Sequence, residues 1–453
     1  MAGPPVRADP PAGTHMRNRI AITLVALAAA AVGALLGGVF RDSTSPASAA
    51  LAGAQATEDF KAGFSLGKST AALVADLQSR LRANPQDQHS YTLLGLAYQQ
   101  RARETGDPSW YSKSEGVLRR ALALDSKDYL AVSGLGSLAL SRHRFRAALA
   151  LGERARTLNP YSARPYGVVG DALVELGRYR EAFAAFDTMN RLRPSLSSYA
   201  RVSYGRELIG RTAAAIRAMK LAVDAATGAA EPAAWTHVQL GKLYFGHGRI
   251  ADAEREYRLA LQVFPGYAYG LDALAQALAA RGAYAEAIAA ERRAVEAIPL
   301  PQYVGALGDL YRITGRPAAA RRQYALIGAI ERLLRANGVR TDLEIALFQV
   351  DHGIALRHAL ARARVGRAER PSVDGDDVLA WALARSGRCA EALPYSRRAL
   401  RLGTEDALKF FHRGYVERCL GHTGEARTWF RRALSLNPHF SLLWAPAARK
   451  WAR

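Results

Sequence analysis

The chain has 453 residues, of which 49% are hydrophobic and 23% are charged. Lysine and arginine number 62 against 40 aspartate and glutamate, so the formal net charge is +22. The sequence contains two cysteines, which excludes a zinc cluster and a disulfide framework. Length alone suggests about three domains, although a repeat that stacks into one continuous core would override that estimate.

The chain begins with a polar, proline-rich segment, residues 1–19, followed by an apolar run over residues 20–40. This run has 21 residues and no charge, which is long enough to cross a hydrocarbon core of about 30 Å as a helix. Basic residues precede the run, and Arg41 and Asp42 follow it. This charge pattern favours a cytoplasmic N-terminus and export of everything downstream.

Two interpretations of the apolar run remain open. We favour an uncleaved transmembrane signal anchor, because the apolar region of a cleaved signal peptide is usually shorter. However, Ala47, Ser48 and Ala49 resemble a cleavage site, and cleavage near Ala49 would make the protein secreted. Residues 41–68 are rich in serine, alanine, glycine and threonine, and we expect them to form a flexible tether.

The remaining chain is predicted to be helical. Residues 69–87 have leucines at helical spacing and predict a half-repeat that caps the open end of a stack. Over residues 240–265, two apolar helical faces flank Gly248, which predicts a helix hairpin. Prolines that close such units recur 34 residues apart, as in Pro160 and Pro194. A single hairpin cannot bury its own apolar face, so a fixed period predicts a solenoid.

These units resemble the tetratricopeptide repeat, a 34-residue helix hairpin. One copy contains Val132, Leu135, Gly136, Ala148, Ala155 and Pro160, and the next contains Tyr166, Val169, Gly170, Leu173, Ala182, Phe186 and Pro194. The resemblance implies an all-α, right-handed solenoid of about ten units over residues 88–438, in a membrane-anchored protein of bacterial type. The unit over residues 343–371 is degenerate. Residues 439–453 are expected to form a C-terminal capping helix.

The resemblance also implies a binding surface. In this family, exposed positions of the first helix of each hairpin line a concave face. These positions are Tyr204, Trp235, Lys242, Tyr269, Asp272, Gln276, Asp309, Trp381, Phe411 and Tyr415. Their aromatic and polar character suits capture of a peptide or helix of a partner protein. The alternative is that about half of them pack between repeats.

Motifs for catalysis, metals and cofactors are not found in the sequence. Neither a phosphate-binding glycine loop nor H-E-x-x-H occurs. Asp351 beside His352 has no nucleophile tied to it by spacing, and we interpret these residues as a cap or a surface pair. Cys389 and Cys419 are interpreted as two buried hydrophobic thiols, with a single disulfide as the alternative because export would permit oxidation.

We therefore predict a non-catalytic, membrane-tethered interaction scaffold, without a cofactor, metal or small-molecule substrate. The alternative is electrostatic binding of anionic envelope components, such as lipid head groups or wall polymers, by the basic surface. Nucleic acid is not expected as a partner, because no nucleic-acid-binding fold is recognisable and export would separate the protein from DNA.

Overall fold

The computed structural model describes residues 69–226 and 230–453, and these ranges contain 22 α-helices and no strand. The predicted membrane segment, residues 20–40, and the predicted tether, residues 41–68, lie outside the described residues. Within the described ranges, no helix combines the length and the apolar character needed to cross a membrane.

The helices follow one another with short turns between them. Their bounds are α1 Thr70–Ala83, α2 Gln88–Thr105, α3 Ser109–Leu124, α4 Tyr129–Ser141, α5 Phe145–Leu158, α6 Ala163–Glu175, α7 Tyr179–Leu192, α8 Leu196–Leu208, α9 Thr212–Asp224, α10 Ala230–Gly246, α11 Ile250–Val263, α12 Ala268–Ala280, α13 Tyr284–Ala297, α14 Pro301–Ile313, α15 Pro317–Ala336, α16 Asp342–His352, α17 Leu356–Glu369, α18 Val373–Arg385, α19 Cys389–Ala399, α20 Ala407–Cys419, α21 Thr423–Leu436 and α22 Ala445–Trp451.

Helices α2 to α21 pair as ten consecutive hairpins, in which an inner helix is followed by an outer helix. The hairpin of α10 and α11 shows why the sequence folds this way. Ala253 and Ala260 are fully buried, and any side chain on Gly241 would overlap the ring of Tyr257. Small residues therefore let the two backbones approach, while the tyrosine fills the remaining space. The sequence-based prediction of a solenoid of helix hairpins is confirmed.

Each end of the stack carries an unpaired helix. At the start, α1 buries Leu73, Leu77 and Leu81 against α2. At the other end, the helix expected over residues 439–453 is shorter, because α22 begins only at Ala445. Pro446 lies in its first turn, where the missing N–H costs no intrahelical hydrogen bond.

The solenoid winds tightly enough to contact itself. Among the described residues, hydrogen bonds join five pairs of residues that are separated by 192–196 positions. These pairs are Glu175 with Arg370, Tyr179 with Val373, Leu208 with Thr404, Thr212 with Glu405, and Phe245 with Asn437. At about 34 residues per hairpin, the chain completes a superhelical turn roughly every six hairpins, and the second turn sits directly on the first.

The contact between the two turns contains buried ion pairs. The Nη2 of Arg370 donates to the Oε1 of Glu175 at 3.0 Å, and its Nη1 donates to the Oε1 of Glu344 at 3.1 Å. All three side chains are at most 6% exposed. Buried charges of this kind are costly unless each one is matched, so docking of the turns depends on this arrangement.

Candidate binding site

The ten residues predicted to line the concave face differ widely in exposure. Six are buried, namely Tyr204, Trp235, Tyr269, Asp272, Trp381 and Phe411. The other four are partly exposed, namely Lys242, Gln276, Asp309 and Tyr415. The expectation that all ten are exposed is therefore wrong for six of them, because the tight winding fills much of the concave face with side chains. A role for any of the ten in binding stays a prediction.

Three of the predicted residues belong to an aromatic cluster at the C-terminal end of the stack. The ring centroid of Trp381 lies 4.9 Å from that of Tyr415, and the centroid of Phe411 lies 5.6 Å from that of Trp444 and 6.0 Å from that of Trp451. Because α22 contributes Trp451 and begins directly after Trp444, this cluster fixes the last helix on the stack. Its geometry is that of a hydrophobic core.

Tyr204, Trp235 and Tyr269 lie in one extended hydrophobic core. Tyr269 meets the edge of Tyr303 with the ring centroids 6.2 Å apart. Lys242 is partly buried and lies near Glu207. Burial raises the pKa of Glu207 to about 7, although the positive charge of Lys242 opposes this rise. These four predicted residues are therefore dispersed through the interior of the solenoid.

The remaining three predicted residues, Asp272, Gln276 and Asp309, are brought together at a cavity of about 510 Å³, which we call the inner cavity. Its walls are the inner helices α12, α14 and α16 and the C-terminal segment 439–449. Its size lies within the range of about 300–1,000 Å³ that is typical of ligand pockets. At its mouth, Tyr284 and Ile313 are 41% and 39% exposed.

One wall of the inner cavity carries a charged pair. Asp309 accepts hydrogen bonds from the Oη of Tyr324 at 2.6 Å and from the Nε2 of His352 at 2.7 Å. The Nδ1 of the same imidazole lies 2.7 Å from the carbonyl oxygen of Phe348. Carbonyl and carboxylate oxygens only accept, so both ring nitrogens carry protons. Burial opposes this charge, but the hydrogen bond to Asp309 and its negative charge raise the pKa of His352.

Asp351 lies beside His352 in sequence but has different partners. Its Oδ1 accepts from the indole Nε1 of Trp381 at 2.8 Å and of Trp444 at 2.9 Å, and burial raises the pKa of its carboxyl group. The interpretation of Asp351 and His352 as a cap is correct for His352, since its imidazole bonds a carbonyl oxygen in the last turn of α16. Their interpretation as a surface pair is wrong, because the two side chains have different partners and both line the inner cavity. Sequence reasoning missed this role because both residues fall in the degenerate unit.

The two cysteines form a disulfide, which is the alternative that the sequence left open. Cys389, at the start of α19, and Cys419, at the end of α20, are joined by a disulfide with a Cα–Cα distance of 5.9 Å. The preferred interpretation, two buried thiols, is wrong. The bond links the inter-helix turns of the last two hairpins, because these turns lie side by side in the stack.

One group of side chains in the described ranges has ligand atoms close enough for a metal ion. The ligand atoms of Glu417, His422 and Glu425 lie within 4.8 Å of one another. However, Glu417 already accepts hydrogen bonds from Arg413 and from the imidazole of His422. An arginine bound to the central carboxylate disfavours a further cation, so we assign no metal to this group.

Residues 238–300 and 378–439 match the family model described as tetratricopeptide repeat. These two segments are therefore similar to tetratricopeptide repeats. They cover α11 to α13 and α19 to α21 together with most of α10 and α18, so the repeat assignment and the helix hairpins agree. No curated protein matches the sequence.

Solved structures of similar fold share little sequence with this chain. A thermophilic tetratricopeptide repeat protein of Thermus thermophilus is 22% identical, with a TM-score of 0.38, covering 42% of this chain and 99% of its own. YrrB, described as a tetratricopeptide repeat protein with an unusual peptide-binding site, is 18% identical, with a TM-score of 0.28, covering 40% and 92%. A human IFIT1 dimer with PPP-AAAA is 14% identical, with a TM-score of 0.43, covering 82% and 96%.

Proposed function

We propose that this protein is a non-catalytic scaffold that binds a segment of a partner polypeptide in the inner cavity. Proteins with tetratricopeptide repeats generally act as interaction scaffolds, and the inner helices of the hairpins supply the binding surface. Most of that surface is filled here, so the observation that carries the proposal is the cavity that stays open between α12, α14, α16 and the segment 439–449. Its open mouth with exposed Tyr284 and Ile313 suits an entering side chain.

We further propose that residues 20–40 anchor the protein in a membrane and that the repeats are exported. The proposal rests on the length of the apolar run and the surrounding charges. The disulfide between Cys389 and Cys419 supports it, because structural disulfides persist in oxidising compartments and are rare in the cytosol.

Affinity capture with the full tagged chain, solubilised from membranes in mild detergent, tests the binding proposal. Ala306 lines the inner cavity, so Ala306→Phe fills part of it. Ala289 is exposed on the outer helix α13, and Ala289→Phe is the matched control. We expect one defined polypeptide that is retained by the wild type and by Ala289→Phe and is lost with Ala306→Phe.

The same experiment addresses electrostatic binding by the basic surface. If only lipid, wall polymer or nucleic acid is recovered, and moderate salt removes it equally from all three proteins, the charge carries the function and the cavity does not. A polypeptide that binds Ala306→Phe as well as the wild type would also refute the assignment of the binding site.

A further inference from the structure

A second open space lies on the outer side of the solenoid. It has a volume of about 580 Å³ and lies between α3 and α5, the outer helices of the first two hairpins, and residues of the inner helix α4 also line it. We call it the outer groove. On each outer helix its lining residues recur at intervals of three or four, as in Ala147, Leu151 and Arg154 on α5, so they share one helix face. The outer groove therefore follows both helices for about two turns, or about 11 Å.

The outer groove is strongly basic. Four arginines line it together with one carboxylate, Glu115. Burial opposes ionisation of Glu115, but hydrogen bonds from Arg142 and Arg119 lower its pKa, so it holds a negative charge that these two arginines share. The other two, Arg144 and Arg154, are exposed and pair with no carboxylate in the part of the chain that the structure describes. The lining therefore has a net charge of +3.

Neighbouring groups hold the arginines in place without removing their charge. Arg142 is buried, with a side chain only 7% exposed. Its Nη2 donates to the Oγ of Ser112 at 3.4 Å, whereas its Nε has no hydrogen-bond partner among the described residues. The Nη2 of Arg154 donates to the carbonyl oxygen of Ser126 at 2.8 Å. A hydroxyl or carbonyl group orients a guanidinium but does not neutralise it, so the outer groove attracts anionic groups.

The base of the outer groove is apolar. Leu122 on α3, Leu135 on α4 and Leu151 on α5 are half-buried, and Ala123 and Ala147 are exposed beside them. A small anion would contact the arginines and gain nothing from this base. An amphipathic helix would use both, because its apolar side chains fill the space between two neighbouring helices while carboxylates on its flanks meet the arginines.

The spacing of the arginines distinguishes a helix from a single head group. Arg144 and Arg154 are ten positions apart, which corresponds to about 15 Å along α5. Arg119 lies across the outer groove on α3, and its side chain is 71% exposed. One phosphate cannot bridge charges that are distributed over this length. Carboxylates that recur along a helix match the distribution, so the observations favour an acidic polypeptide over a lipid head group.

We propose that the outer groove is a second docking surface, which takes an acidic amphipathic helix of a partner protein. Apolar side chains of that helix pack on Leu122, Leu135 and Leu151, and its carboxylates pair with Arg144 and Arg154. The inference goes beyond the proposed function, because the outer groove is formed by outer helices and the inner cavity by inner helices. The scaffold therefore has two sites of different chemistry.

Fluorescence anisotropy with a labelled synthetic peptide tests the inference on the full chain in mild detergent, with detergent alone as the blank. The peptide is a helix of leucine, alanine and glutamate, with leucines along one face and glutamates on both sides of that face. One comparison peptide has glutamine in place of glutamate, and another has the same composition in scrambled order. We expect the amphipathic peptide to bind at least about tenfold more tightly than either comparison peptide.

The double variant Arg144→Ala/Arg154→Ala removes the two exposed cations of the rim and should weaken binding by at least about tenfold. The double variant Arg217→Ala/Arg293→Ala is the matched control for charge. Both of its arginines are exposed on other outer helices, α9 and α13. It lowers the net charge of the chain by the same amount and should leave binding unchanged.

Ala147→Phe fills part of the outer groove without changing a charge, and it should also weaken binding by at least about tenfold. Ala289→Phe on α13 is again the matched control, since Ala289 is exposed and does not line the outer groove. Thermal melts of all four variants should show that they are folded, so that a loss of binding reports on the site.

Four results would each overturn the inference. Equal binding of the scrambled peptide would show that the net charge of the chain suffices, and equal binding of the glutamine peptide would show that the arginines do not contribute. Failure of the amphipathic peptide to bind, or an equal loss in a variant and its control, would remove the site. Vesicles of phosphatidylglycerol serve as a further probe. If the vesicles bind through Arg144 and Arg154 and the peptide does not bind, the outer groove takes a lipid instead of a polypeptide.

Discussion

The ion pairs between the two superhelical turns lead to a quantitative prediction for Arg370→Ala. Arg370 donates hydrogen bonds to Glu175, which lies in the first turn, and to Glu344, which lies in the second. Its guanidinium carbon lies 5.4 Å from the ring centroid of Phe145. The substitution leaves two carboxyl groups buried without their cation. Removing one partner of a buried ion pair costs about 3–5 kcal/mol. We therefore expect the free energy of unfolding to fall by about 4 kcal/mol near neutral pH.

The pH dependence of this loss provides an independent check. Burial raises the pKa of Glu175 to about 7 even with Arg370 present, against an ordinary value of 4.5. Without the arginine that pKa rises further, so the folded variant holds a proton that the unfolded chain has released. The stability that this protonation contributes is complete below pH 4.5, and it is lost as the pH rises through the pKa that Glu175 has in the folded state. The penalty of Arg370→Ala should therefore be smaller near pH 5 than near pH 7.5.

Urea unfolding followed by circular dichroism at both pH values measures these changes. Arg388→Ala is the control, because Arg388 pairs with Glu391 on the surface and the two side chains are 42% and 50% exposed. Exposed pairs contribute about 0–1 kcal/mol, so the control should resemble the wild type. A loss below about 1 kcal/mol for Arg370→Ala, or a penalty that grows toward acid pH, would refute the ionic account of turn docking.

Other predictions concern the turn contact, the buried carboxyl group and the disulfide. A Cβ on Gly210 would clash with the carbonyl oxygen of Gly403 in the other turn, whereas Gly282 has the same left-handed backbone and open space around it. Gly282→Ala should cost about 1–2 kcal/mol, Gly210→Ala should cost more, and equal losses of melting temperature would contradict the contact. Glu291 on α13 is fully buried, and Glu291→Gln removes a carboxyl group whose pKa is raised by burial. The melting temperature of the variant relative to the wild type should therefore rise between about pH 5 and pH 8, whereas a constant difference would show that folding does not raise the pKa of this group. The disulfide closes a sequence separation of 30 residues, which corresponds to about 3.6 kcal/mol; Cys389→Ser should therefore lower the melting temperature, and reductant should lower that of the wild type but not of the variant.

The helix hairpins could be predicted because their determinants are local. The alternation of small and aromatic residues, as in Gly241 and Tyr257, repeats at a fixed period and sets each hairpin independently. The pitch of the superhelix could not be predicted in this way. It depends on contacts such as that of Tyr179 with Val373, 194 residues away, and a 34-residue period contains no information about contacts at that range.

The same distinction applies to the candidate site. Asp272, Gln276 and Asp309 were predicted because their position along an inner helix places them on the concave side. Asp351 was missed because its unit departs from the repeat pattern. The cavity wall at residues 439–449 was missed because this segment lies outside the helix hairpins, partly before the short α22 and partly in its first residues. The burial of the aromatic positions follows from the tight winding, which the local pattern does not specify.

The inner cavity and the turn contact share one wall, so binding and docking should be coupled. The segment 439–449 lines the cavity and follows Asn437, whose Nδ2 donates to the carbonyl oxygen of Phe245 in the first turn at 2.8 Å. Asn437→Ala removes this bond without changing a residue that lines the cavity. Asn159→Ala is the matched control, because Asn159 follows the last residue of α5 and also precedes a proline, and its Oδ1 accepts from the backbone N–H of Tyr161 at 3.1 Å.

We expect Asn437→Ala to weaken capture of the partner polypeptide and to speed hydrogen exchange in the segment 439–449, while Asn159→Ala changes neither. Linkage requires the reverse effect as well, so the bound partner polypeptide should slow exchange in that segment of the wild-type protein. Faster exchange in Asn437→Ala with unchanged capture of the partner polypeptide would show that the C-terminal wall does not take part in binding. The docked second turn would then stabilise the fold alone, and the binding site would be confined to α12, α14 and α16.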